Sequence, residues 1–136
     1  MNKILIDSGP LIALFDGNDK YHAASVAFIK SNKSELITTL ASLTETLHLL
    51  DFNRRAQIDF LGWVNAGAVT LENITANDLG KIKKITIKYA DFPMDFADAC
   101  LVFLAEKLNI HTIATIDRDF DIYRIQGKKP FTTLIK

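Results

Sequence analysis

The stretch that most constrains this chain is KILIDSGP, residues 3–10. Ile4, Leu5 and Ile6 are three consecutive bulky apolar residues in a run too short for a helix, which suits a strand buried on both faces. Such strands belong to parallel sheets covered by helices. Asp7 closes the run, and Ser8, Gly9 and Pro10 turn the chain into LIALF, with Gly-Pro suited to a helix start. A carboxylate at the carboxyl end of a buried parallel strand lies where α/β sheets bind ligands, which makes Asp7 the first candidate for the working site.

The rest of the sequence repeats this alternation. Residues 16–19, DGND, form a loop by composition. Helical spacing predicts a helix over residues 21–30 with Ala24, Ala27 and Phe28 on its inner face. A second begins at Ser42 with Leu43, Leu47 and Leu50 as its stripe. A third covers residues 54–65 and ends near Gly67, and a fourth covers 77–88 with Leu79, Ile82, Ile85 and Tyr89 inward. The last, over residues 95–108, is apolar almost all round from Ala99 to Ala105, as in a deeply packed helix. Strands are expected at 36–39, 68–71, 111–116 and 131–135, the fourth strand of the chain giving way to DRDFD. Strands alternating with helices imply βαβ crossovers. The expected fold is a three-layer α/β/α arrangement around a short, mostly parallel sheet. With 136 residues and neither linker nor repeat, the chain reads as a single domain, 1–136.

Composition narrows the setting. Lys plus Arg and Asp plus Glu are 16 each, so no overall basic excess marks a nucleic-acid binder, although local patches remain open. Arg54, Arg55 and the lysines from Lys81 to Lys88 are read first as solvated helix faces and second as backbone contacts for a nucleic acid. A single cysteine, Cys100, makes no internal disulfide and favours a reducing compartment. The start of the chain carries no signal peptide, and no apolar run reaches the roughly 18 residues of a membrane span. A cytoplasmic protein without membrane contact is the expectation.

The chemistry lies in the acids. Asp7 and Asp117 both follow strands and would share one edge of a parallel sheet, though each taken singly is equally well a helix N-cap. Asp98 stands one turn after Asp95 and enters the apolar helix, where a carboxylate must be paired, protonated or bound to metal. Glu45 completes the capping-box pattern Ser42-Leu43-Thr44-Glu45 and points away from the leucine stripe, so spacing alone makes it structural. Converging carboxylates need a cation, and oxygen-only ligands suit Mg²⁺ or Mn²⁺ over zinc. His22, His48 and His111 are scattered and form no zinc spacing with Cys100. Ser8, Thr112 and Thr115 border the expected site, with turn chemistry and β-propensity as their plainer reading. A divalent ion among such acids suits phosphodiester hydrolysis.

Four pieces, ILIDSGPLIALF, SLTE, FADAC and ATIDRDF, in this order and spacing over nearly the whole chain, resemble the PIN domain and in particular VapC-type toxin ribonucleases. The resemblance implies a PIN-like fold and an acidic cluster of Asp7, Glu45, Asp98 and Asp117 that binds Mg²⁺ or Mn²⁺. It restores Glu45 to the site and leaves Asp95 and Asp121 as auxiliary acids. It further implies an Mg²⁺-dependent endoribonuclease leaving 5′-phosphate and 3′-hydroxyl ends, the toxin of a type II toxin–antitoxin pair. Its partners would be an RNA substrate, a small antitoxin and a second copy in a homodimer. Ser-Gly after Asp7 departs from the family's Thr followed by Ser, Asn or Ala. Three rivals stand beside it. A non-catalytic PIN-like scaffold would bind RNA or a partner. A metal-dependent phosphatase would want an aspartate where Gly9 stands, and a phospho-accepting receiver would want an acidic pair and an opposing lysine.

Overall fold

The computed structural model describes residues 2–135. The elements are β1 (Lys3–Ile6), α1 (Ser8–Phe15), α2 (His22–Ser31), β2 (Glu35–Thr39), α3 (Leu40–Leu49), α4 (Arg54–Asn65), β3 (Thr70–Glu72), α5 (Leu79–Lys88), α6 (Phe96–Leu108), β4 (Thr112–Ala114), β5 (Arg124–Ile125), β6 (Lys129–Pro130) and β7 (Thr132–Leu134). Short 3₁₀ turns cover Ala76–Asp78 and Arg118–Asp121. The main sheet runs β3-β2-β1-β4-β7, with every pairing parallel.

Alternation along the central strands builds the layers. Leu5, Ile37 and Ile113 point to one face, where α6, α5 and the β5–β6 hairpin cover them. Ile4, Ile6, Leu36 and Ala114 point to the other face, against residues of α1, α3 and α4. The result is the three-layer α/β/α fold expected, with a mostly parallel sheet. β1 lies at the centre of the sheet, which is why three apolar residues run consecutively there. In α6, Ala97 to Ala105 are all buried, because this helix packs on the sheet, on α5 and on the hairpin at once. It ends at Asn109, in the left-handed region at φ 54°. No helix among the described residues is long and apolar enough to cross a membrane.

Several local expectations are corrected. The third helix starts at Leu40, not Ser42: Thr39 is its N-cap and accepts from the Ser42 amide at 3.2 Å, so the Ser42–Glu45 capping box does not form. On α2, Ala24 and Ala27 face solvent while Ser25, Phe28 and Ile29 turn inward. Leu79 at the start of α5 is exposed, whereas Ile82, Ile85 and Tyr89 are buried as expected. The β5–β6 hairpin appears where no element was expected.

Candidate metal centre

The carboxyl edge of the sheet gathers the acids. Asp7 leaves β1 in extended backbone and N-caps α1: Ser8 N donates to its Oδ1 at 2.8 Å. The Thr115 hydroxyl donates to its Oδ2 at 3.1 Å and itself accepts from the Asp117 amide at 3.0 Å. One buried threonine just past β4 thus ties the acid after β1 to the acid after β4. Asp117 in turn accepts from the Asp119 amide at 2.9 Å, which starts the 3₁₀ turn.

Asp98 arrives from the opposite layer. Asp95 N-caps α6 by accepting from the Asp98 amide at 2.9 Å, which places Asp98 in the first turn pointing into the protein. The buried Tyr123 hydroxyl donates to Asp98 Oδ2 at 3.0 Å. One carboxylate oxygen each from Asp7, Asp98 and Asp117 then lies within 4.8 Å of the others. Asp7 is 3% exposed and Asp98 6%, so water does little to screen them from one another.

Their protonation follows from that placement. Burial pushes the Asp7 carboxyl up to about 7; its bonds from Ser8 and Thr115 pull the other way, and Asp117 and Glu45 add repulsion. Burial raises Asp98 to about 8, with Asp7, Asp95 and Asp117 contributing as like charges. The charges that act most strongly on these two groups are other carboxylates. The ion pair of Arg55 with Asp59 on α4, 3.1 Å apart, lies outside the cluster. Oxygen donors from two buried carboxylates and one half-buried one suit a hard divalent ion, with Asp7, Asp98 and Asp117 as the residues that would hold it.

Glu45 sits beside this set and not within it. It accepts a short hydrogen bond from the Ser8 hydroxyl, and burial together with Asp95 and Asp117 raises its carboxyl above the usual range. Asp95 therefore joins the site twice, as the cap of α6 and as the acid facing Glu45. Asp121 stays apart, exposed and accepting from Thr133 at 3.4 Å. The acid next to Asp117 is instead Asp119, whose carboxyl burial and then Asp117 raise. Thr112 opens β4 at the far end of the sheet, so of the two threonines expected at the site only Thr115 reaches it. His48 is exposed on α3, and Cys100 is buried in α6, its thiol pushed up to about 11 by burial and Asp95. Sequence reasoning missed Tyr123, since a lone tyrosine after an acidic turn carries no signal until packing brings it under α6.

Comparison with known proteins agrees with this fold. Residues 4–126 match the profile of the PIN domain. Ribonuclease VapC26 of Mycobacterium tuberculosis (strain ATCC 25618 / H37Rv) is 31% identical over 134 residues, a span covering 96% of this chain and 99% of that protein. The crystal structure of Mycobacterium tuberculosis VapC20, described as a Sarcin-Ricin loop cleaving toxin, superposes with a TM-score of 0.82 at 21% identity. That match covers 93% of this chain and 99% of the other, and it speaks for the fold.

Proposed function

The chain belongs to the PIN domain family, and from that premise we propose that it is a metal-dependent endoribonuclease of the VapC toxin type. The observation that carries this reading is the meeting of Asp7, Asp98 and Asp117 within 4.8 Å at the carboxyl edge of the sheet. Buried carboxylates so close are a poor structural device, because each raises the cost of ionising the next. They make sense as ligands.

Asp7, Asp98 and Asp117 hold the ion, which we take to be Mg²⁺ or Mn²⁺ from the all-oxygen donor set. When bound, such an ion polarises a phosphoryl oxygen and lowers the pKa of a coordinated water. The protein's own groups then divide the remaining work. Thr115 keeps Asp7 and the Asp117 backbone in fixed relation. Glu45, half-buried and held by Ser8, is the carboxylate placed to take a proton from an attacking water. RNA is the substrate class by kinship with the ribonuclease relative. A small antitoxin is the partner implied by the same kinship. The surface it would use is the apolar groove that opens beside Glu45 and Asp95 and is lined by Leu40, Leu71, Ile74, Leu79 and Phe96.

The test is cleavage of a mixed RNA substrate with Mg²⁺, Mn²⁺ or EDTA, by the wild-type chain and by Asp98→Asn. Asparagine keeps the shape and removes the charge. Metal-dependent cutting by the wild type and none by a folded Asp98→Asn protein is expected. Equal cutting by both would falsify the assignment.

A further inference from the structure

Among the described residues, Asp98 receives one side-chain hydrogen bond, and its donor is no part of the acid cluster. The Tyr123 hydroxyl lies 3.0 Å from Asp98 Oδ2, and Tyr123 is wholly buried. Its ring cannot easily follow a moving carboxylate. Tyr89 meets it edge-on at 5.1 Å and Phe120 meets it at 5.1 Å, with Phe131 against Phe120 at 5.6 Å. The Tyr89 hydroxyl is engaged elsewhere, accepting from the Arg124 amide at 2.8 Å. The Tyr89 and Phe120 rings, the latter backed by Phe131, therefore fix the ring that carries this hydroxyl.

Such a donor has a use that a lysine or arginine would not serve. A neutral hydroxyl steadies a carboxylate without repelling a divalent ion on its other oxygen. Resting on the metal-centre reading above, we propose that Tyr123 is a positioning residue: it holds Asp98 by Oδ2 and so fixes the carboxylate that would share an ion with Asp7 and Asp117. The aromatic stack under α6 is then part of the centre's design and not only of the core.

The experiment is calorimetric titration of Mn²⁺ alone into wild type, Tyr123→Phe, Tyr89→Phe and Asp98→Asn, each first stripped with EDTA. Tyr123→Phe keeps the ring and loses the hydroxyl. It is expected to bind Mn²⁺ about tenfold more weakly, the usual scale for a partner behind a metal ligand, while its metal-free melting temperature stays within a few degrees of wild type. Tyr89→Phe loses a hydroxyl from the same stack without touching Asp98 and is expected to bind like wild type. Wild-type affinity in Tyr123→Phe, with binding lost in Asp98→Asn, overturns the role of Tyr123 and leaves the metal centre standing. Equal weakening in both tyrosine variants overturns it too, since packing would then be the cause. Equal Mn²⁺ binding by wild type and Asp98→Asn overturns the metal-centre reading and this assignment with it. Should Tyr123→Phe not fold, ¹⁹F spectra of the chain carrying fluorotyrosine at Tyr21, Tyr89 and Tyr123 decide on the full-length protein. The Tyr123 resonance is expected to move as Mg²⁺ saturates the site; a resonance that ignores Mg²⁺ overturns the proposal.

Discussion

β1 and β4 enter the sheet among solvated polar residues and leave it among buried acids. At the amino edge, Lys3 and Asn2 are exposed, and His111 pairs with Asn109 at 3.0 Å on the surface. Polar groups there satisfy one another or water at little cost. At the carboxyl edge, one strand's length away, Asp7 and Asp98 are almost fully buried and meet Asp117 within 4.8 Å. One end of the sheet is built for stability, and the other holds charges that the fold must tolerate. The difference teaches where selection for function acts: a site that opposes its own folding needs a ligand to justify it.

The comparison breaks most sharply at Asp7. Asp7→Asn retains an N-cap acceptor of equal quality but loses the charge that the proposed ion would need. RNA cleavage is expected to fall by at least about a hundredfold, the upper end of what even partners behind metal ligands cost. At pH 8 without metal, the same variant is expected to melt a few degrees above wild type, because a buried repelling charge is gone. A variant that is both inactive and less stable would show that the acid edge is structural after all.

Proton linkage extends the same contrast to the wild-type chain. Folding raises Asp7 from 3.8 to about 7 and Asp98 from 3.8 to about 8. Between those limits the folded chain holds protons that the unfolded chain has released, so metal-free stability falls as pH rises through the window and levels off above it. On the proposed reading, Mg²⁺ would take the place of those protons. The rise in melting temperature on adding Mg²⁺ is therefore expected to be larger near pH 8 than near pH 5.5, by differential scanning calorimetry. A rise independent of pH would place the ion away from these acids.

The sequence shows one of these edges more clearly than the other. Strand ends are legible because ILI stops at Asp7, and α4 is bounded correctly at Arg54 and Asn65 because Asn53 caps it and Gly67 follows it. Asp98 is legible because an acid heads a helix with no polar face. Glu45 is not, since its direction depends on the helix starting at Leu40 under a Thr39 cap, while the nearby Ser-x-x-Glu pattern mimics a later start. The hairpin escapes because its strands are two residues each, joined through Gln126 and Gly127 at positive φ, too short for any periodicity. Asp119 and Asp121 have the same composition around them, and only the 3₁₀ turn turns one toward Asp117 and the other toward Thr133.

Gly9 gives a smaller test of how tightly the acid edge is packed. A Cβ there would lie 2.6 Å from Ile116 Cγ1, a branched side chain with little freedom, directly before Asp117 in sequence. Gly9→Ala is expected to cost about 2 to 3 kcal/mol by overpacking and to lower cleavage several-fold by displacing Asp117. Gly17, with open space around it, serves as the control, and its alanine variant is expected to cleave normally. Normal activity in Gly9→Ala would mean that Ile116 yields without moving the acid.

The finest comparison lies at the two ends of β4. Thr112 and Thr115 flank β4 and carry the same β-propensity, yet they stand at opposite edges. The Thr115 hydroxyl is wholly buried and serves both Asp7 and the Asp117 amide. Valine fills the same space and leaves two buried polar groups short of a partner, a loss of about 1 to 2 kcal/mol. The Thr112 hydroxyl makes no hydrogen bond among the described residues and is half-buried, so its valine variant is expected to stay within about 0.5 kcal/mol of wild type. Urea unfolding of the two variants measures the gap directly, without metal or RNA. Equal costs would erase the distinction between the edges at a place where the residue type and the substitution are held constant.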